Sequence, residues 1–143
     1  MKDKIRVLLV ANIPLCYRLR TILAKDDDME VLGEYSSIED SLAKIEMTTP
    51  DIVILDTKMP TKSGIRASDL LRSRLRYDGA IIMLAKSVDD VLENMDDCAV
   101  DYFFVKDKHL PKIGQLCHVL THRLENNAAF ATCPRMSCTS SYA

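Results

Sequence analysis

The chain has 143 residues, 48% of them apolar and 28% charged, which suits one domain with a proper core and excludes a disordered chain. Nineteen Lys and Arg against 21 Asp and Glu leave a net charge of −2, which argues against nonspecific nucleic-acid binding through bulk charge. No apolar run approaches the roughly 20 residues of a membrane span, and no signal-peptide cleavage pattern follows Met1.

Ile5 to Val10 is a β-branched, nearly continuous apolar run, as expected for a strand covered on both faces. Pro14 breaks it, and Leu15, Leu19, Ile22 and Leu23 then recur at helical spacing. Asp26-Asp27-Asp28 reads as a solvated loop, and Met29 to Gly33 as a short second strand. Ser37 with Asp40 three residues on makes a capping box before the apolar stripe Ile38, Leu42 and Ile45. Pro50 ends that helix. Ile52-Val53-Ile54-Leu55 is the most apolar run in the chain and runs directly into Asp56. Met59-Pro60 and Gly64 are turn punctuation, and Ala67, Leu70, Leu71 and Leu75 mark a third helix. After the Asp78-Gly79 turn comes a fourth strand, Ala80 to Ala85. Ser87 and Asp90 form a second capping box ahead of Val91, Leu92 and Met95. Tyr102 to Val105 is the fifth strand, ending at Lys106. From Pro111, a good first-turn residue, Ile113, Leu116, Cys117, Leu120 and Leu124 trace a last helix.

Five strand–helix units imply an α/β fold, a parallel sheet with right-handed crossovers and helices on both faces. Residues 1–125 are expected to form this one domain. Residues 126–143 lose the periodicity and are expected to be a flexible tail, a truncated linker or a remnant. The five cysteines, Cys16, Cys98, Cys117, Cys133 and Cys138, are odd in number and include no C-x-x-C, so a reducing, cytoplasmic setting is expected. His118 and His122 share a helix face, but no carboxylate or Cys sits at a matching position, so they read as exposed helix residues. With four glycines and no G-x-G-x-x-G or Walker loop, a dinucleotide or P-loop site would lack its phosphate cradle.

In an open parallel sheet, ligands bind at the carboxyl ends of the strands. The residues at those ends are Ala11 and Asn12, Asp56, Ala85 and Lys86, and Lys106. One acid and two lysines converge on one edge. Position alone leaves two readings open, because an Asp at a strand end also caps turns and a Lys there is often merely solvated.

The stretch Pro50-Asp51-Ile52-Val53-Ile54-Leu55-Asp56-Thr57-Lys58-Met59-Pro60, with Gly64 following, resembles the P-D-x-x-x-x-D-x-x-M-P…G signature of bacterial response-regulator receiver domains. Val7 to Val10, Met29 to Glu34 and Phe103 to Lys106 add to it. Pro14-Leu15 and the Val-Leu-Gly-Glu segment are most similar to receivers of LuxR-type transcription regulators. The resemblance covers residues 4–124. It implies the CheY-like, doubly wound strand order 2-1-3-4-5 and a two-component phosphorelay role in which Asp56 accepts a phosphoryl group from a sensor histidine kinase or a small phosphodonor. It further implies Lys106 as the phosphoryl salt bridge. Mg²⁺ would be held by an acid after strand one, by Asp56 and by the Lys58 backbone carbonyl. The switch pair would be a hydroxyl at position 85 and an aromatic at position 103. The family's partner surface, the fourth helix, fifth strand and fifth helix, maps to Val88–Met95, Tyr102–Val105 and Ile113–Leu124, where a homodimer could form. DNA would be reached only through an output domain, for which the tail residues are too few, and no membrane partner is implied.

Two parts of the pattern depart. The acid pair is Ala11-Asn12, and the hydroxyl position is Ala85; Phe103 also lacks a hydroxyl. Losing a carboxylate about 4 Å from a cation forfeits up to about 4 kcal/mol at an effective dielectric of about 20; Asn12 offers only a neutral carbonyl oxygen in its place, so Mg²⁺ binding through Asn12, Asp56 and the Lys58 carbonyl is expected to be weak or absent. Lys58 and Lys86 are candidate charge substitutes, against the plainer alternative of solvent exposure. The expected function is therefore a receiver phosphorylated on Asp56, not an enzyme with turnover. The alternative is a phosphorylation-independent pseudo-receiver acting through protein contacts.

Overall fold

The computed structural model describes residues 4–57, 64–94, 99–106 and 110–126. The expected tail beyond residue 126, and with it Cys133 and Cys138, lies outside them. Among the described residues the strands are β1 (Ile5–Val10), β2 (Met29–Tyr35), β3 (Ile52–Asp56), β4 (Ala80–Ala85) and β5 (Tyr102–Val105). The helices are α1 (Ile13–Leu23), α2 (Ile38–Thr48), α3 (Gly64–Ser73), α4 (Val88–Asn94) and α5 (Ile113–Asn126), the last preceded by a 3₁₀ turn over Leu110–Lys112. The strands pair in parallel in the order β2-β1-β3-β4-β5, as the resemblance implied.

The continuous apolar runs are explained by two cores, one on each face of the sheet. Side chains alternate along a strand. Val7, Leu9, Ala11, Ile52, Ile54, Ile82 and Leu84 therefore pack with Leu15 and Leu19 of α1 and Ile113 and Cys117 of α5. Leu8, Val10, Val53, Leu55, Ile81, Met83 and Phe103 pack on the other side with Ile38 and Ile45 of α2 and Ala67 and Leu71 of α3.

The local signals act as expected at the caps. Asp40 N–H donates to the Ser37 hydroxyl at 3.3 Å, and Asp90 N–H to the Ser87 hydroxyl at 3.2 Å. Thr49, just before Pro50, closes α2 in a left-handed conformation at φ 40 and bonds back to the Ile45 carbonyl. β2 runs to Tyr35, two residues past the end its apolar residues suggest, because Val10 and Tyr35 stay in register on an edge strand that is only half covered. In the turn before β4, Arg76 takes the positive φ of 52 and Gly79 does not. Gly79 instead makes room: a Cβ there would overlap the Tyr77 ring, whose hydroxyl donates to the Pro50 carbonyl at 2.7 Å.

One expectation is corrected. No carboxylate is near His118 in sequence, yet the Asp26 loop comes to it, and His118 Nε2 lies 2.7 Å from Asp26 Oδ2. The Asp28 N–H donates to the other Asp26 oxygen, and together with His118 it holds the Asp26 carboxyl below its usual value. A carboxyl depressed on folding stabilises the fold above the unfolded value of about 3.9 and loses that contribution as pH falls through the native value. The stability difference between the wild type and Asp26→Asn should therefore shrink as pH falls below about 4. Urea melts at several pH values below about 5 would read it, and a difference that kept widening below about pH 4 would contradict it.

Candidate functional site

Strand parity builds the site. Asp56 continues the Ile52–Ile54 side of β3, and Lys106 continues the Phe104 side of β5, so both project toward the α1 and α5 face. Each lies at the carboxyl end of its strand. Lys106 Nζ donates to both Asp56 oxygens, at 3.1 and 3.2 Å. The Asp56 side chain is only 2% exposed and that of Lys106 is 26% exposed. A buried carboxylate is thus neutralised by an ammonium that still reaches water, the arrangement a buried charge requires.

Beside Lys106 lies an open cleft of about 620 Å³, lined among the described residues by Asn12, Pro14, Leu15, Arg18, Lys86 and Lys106. Asn12 and Lys86 were expected at this edge, and they are there. Asn12 is the N-cap of α1: its amide oxygen accepts the Leu15 N–H at 2.8 Å. Ala11 is buried beside it and brings no side-chain oxygen. Lys58 lies outside the described residues, so neither its carbonyl nor its ammonium can be placed.

A hard divalent cation needs several oxygens converging on one point, with at least one or two carboxylates among them. Here the described donors are one carboxylate already straddled by Lys106 and one amide oxygen already spent on a helix cap.

The other parity faces α4. Ala85 is fully buried, and Phe103 lies in the core on that side, paired in register with Met83. Thr57 follows Asp56, and its hydroxyl donates to Asp90 Oδ2 of α4 at 2.8 Å. The same oxygen accepts the Lys86 N–H at 3.0 Å. Thus a side-chain hydroxyl at this edge comes from the residue after β3, whereas position 85 at the end of β4 has none. Sequence reasoning missed Thr57 and Arg18. The capping box placed Asp90 at the start of α4, but its link to β3 spans 33 residues. Arg18 follows Leu15 by three positions on α1, so helical spacing could have placed it over the edge.

Cys16 is buried in α1 with its thiol donating to the Ala11 carbonyl at 3.4 Å. Burial pushes that thiol up, and pushes the Cys117 thiol up to about 12. Both are free and buried, so neither offers a thiolate nucleophile at neutral pH.

A family model described as the response regulator receiver domain matches residues 7–117. The chain is 34% identical over 103 residues to the uncharacterized transcriptional regulatory protein YxjL of Bacillus subtilis (strain 168), a match covering 71% of this chain and 47% of that protein. The chain spans about half the length of the curated relatives it matches first. Among solved structures it is similar to the signal receiver domain of the putative response regulator NarL from Mycobacterium tuberculosis, with TM-score 0.73 and 20% identity over 85% of this chain and 98% of that one. It is also similar to the response regulator protein TrrA from Thermotoga maritima, solved in complex with Mg(2+)-BeF, with TM-score 0.69 and 25% identity over 80% of this chain and 97% of that one.

Proposed function

Because the chain belongs to the response regulator receiver domain family, we propose that it accepts a phosphoryl group on Asp56 in a two-component phosphorelay. The observation that carries this reading is the two-oxygen grip of Lys106 on a buried Asp56 at the carboxyl edge of the sheet. An Asp56 oxygen attacks phosphorus of a sensor kinase's phosphohistidine or of a small acyl phosphate. The new O–P bond forms as the donor's N–P or O–P bond breaks, and the electron pair leaves with the donor. Lys106 transfers its hydrogen bonds from the carboxylate to the phosphoryl oxygens, where negative charge is spread in such transfers. Mg²⁺ has a weak place or none in this step, and Lys86, at the rim of the same cleft, is proposed to stand in for part of its charge.

The same reading places the protein in the cytoplasm, with a sensor kinase as partner and no catalytic turnover of its own. Among the described residues no helix is long and apolar enough to cross a membrane. Exposed Val88, Leu92, Tyr102 and Val119 lie on α4, β5 and α5 and support that face as a homodimer contact. Any DNA contact is proposed only through an output domain separate from the receiver fold.

The chain has no Trp, so the reaction is best followed by mass. Incubation with acetyl phosphate or a cognate kinase should add one phosphoryl group, and Asp56→Asn should add none. Omitting Mg²⁺ should change the rate by less than about tenfold, since the acid pair that would bind it is absent. No mass gain with either donor would leave the pseudo-receiver reading, and gain by the Asn variant would move the acceptor elsewhere.

A further inference from the structure

We propose that Asp26, Asp28 and His118 form a binding site for a divalent first-row transition-metal ion such as Zn²⁺. One imidazole nitrogen and one oxygen from each carboxylate all lie within 4.8 Å of one another. Two elements far apart in sequence supply them: Asp26 and Asp28 stand in the turn between α1 and β2, and His118 on α5. The Asp28 carbonyl accepts the N–H of Ile5, the first residue of β1, at 2.7 Å. The three residues therefore gather at the amino edge of the parallel sheet, whereas Asp56 ends β3 at the carboxyl edge. Ion binding there needs nothing from Asp56 and goes beyond phosphoryl transfer.

The donor types select the ion. Mg²⁺ and Ca²⁺ take oxygen ligands, whereas imidazole suits the later first-row ions. Three protein ligands with water in the fourth position make an open tetrahedral zinc site. His118 Nε2 and Asp26 Oδ2 are 2.7 Å apart, a hydrogen-bond separation. Bonds of about 2.0–2.1 Å to a tetrahedral ion set two ligands about 3.3 Å apart, so the pair opens by only about 0.6 Å as the ion replaces the proton between them. The Asp28 N–H donates to Asp26 Oδ1 at 2.9 Å, which orients the carboxylate and leaves Oδ2 for the ion, the support that ligating carboxylates ordinarily have. The turn itself is fixed by the Asp26 N–H on the Leu23 carbonyl at 3.0 Å and the Met29 N–H on the Asp26 carbonyl at 3.1 Å. The Asp28 carboxylate is exposed and, among the described residues, makes no ion pair or hydrogen bond, so it can turn toward the ion at little cost. Access is open as well: Gly114, one turn ahead of His118 on α5, brings no side chain toward Asp26 Oδ2, where even a Cβ would stand 3.9 Å away.

The test is an NMR titration of the whole 143-residue chain with Zn²⁺ at neutral pH under reducing conditions. Saturable changes are expected in the His118 imidazole signals and at the Asp26, Asp28 and Gly114 amides, and Mg²⁺ alone should leave them unmoved. Asp28→Asn removes an exposed carboxylate that holds no contact of the fold, so the variant should fold normally and bind at least about tenfold more weakly, a loss of about 1.4 kcal/mol. His118→Ala should abolish the saturable changes at Asp26 and Asp28. The proposal is overturned if the His118 and Asp28 signals stay still while Zn²⁺ moves residues elsewhere, such as those beside the cysteines. Equal binding by the wild type and both variants overturns it too. The phosphoryl mass assay reads a separate event. Asp28→Asn should gain mass as the wild type does, so a chain that binds Zn²⁺ yet gains no mass sinks only the phosphoacceptor reading.

Discussion

Arg72→Ala is expected to lower the unfolding free energy by about 3–5 kcal/mol, the usual consequence of breaking a buried ion pair from one side. Arg72 lies on α3 with its side chain only 11% exposed, and Asp101, its partner just before β5, is 14% exposed. Among the described residues its guanidinium donates to the carbonyls of Ala99, Tyr77 and Gly79 at 3.0, 2.7 and 2.7 Å, and to Asp101 Oδ2 at 2.6 Å. That carboxylate oxygen also accepts the Ile81 N–H at 2.8 Å. One side chain thus ties α3 to the loops that feed β4 and β5. Truncation leaves a carboxylate without its cation and three carbonyls without their donor. Arg72→Lys should recover less than half of the loss, because an ammonium lacks the planar fork. Equilibrium urea unfolding reads both variants. A loss under about 1 kcal/mol for the Ala variant would put the guanidinium's contribution in the range of surface pairs.

Lys106→Met acts at the site itself. It strips the ammonium from a carboxylate that is 2% exposed and should cost about 3 kcal/mol of stability. It should also slow the phosphoryl mass gain by about 10²-fold, the scale on which one charge-stabilising donor acts. The double variant Asp56→Asn/Lys106→Met should regain most of the stability, because no buried charge then lacks a partner. If the double variant is as unstable as the sum of the two singles, the pair is not coupled as the 3.1 and 3.2 Å contacts require.

These two residues differ in how far they could be foreseen. Lys106 stands at the end of an apolar run, where position alone left two readings open; its approach to Asp56 was implied by the family resemblance. Arg72 follows Leu71 in an ordinary amphipathic stripe, and nothing local marks it as the hub of these contacts. His118 shows the same limit. Its helical spacing pointed to His122, whereas its partner is Asp26, 92 residues away.

Local chemistry alone determined the elements and the edge on which Asp56 sits. Periods of two and 3.6, Ser37 and Ser87 at helix starts, and Pro50 after a helix act within a few residues and need no partner from afar. Missing oxygens at positions 11 and 85 are likewise plain from side-chain chemistry. Packing decided which groups meet. Arg18, Lys86 and Lys106 share one cleft because β1, β3, β4 and β5 lie side by side and α1 folds back over their ends. Thr57 turns to Asp90 because the residue after Asp56 faces the opposite side of the sheet. A side chain's own period says which way it points; strand order and crossover hand choose the neighbour it finds there.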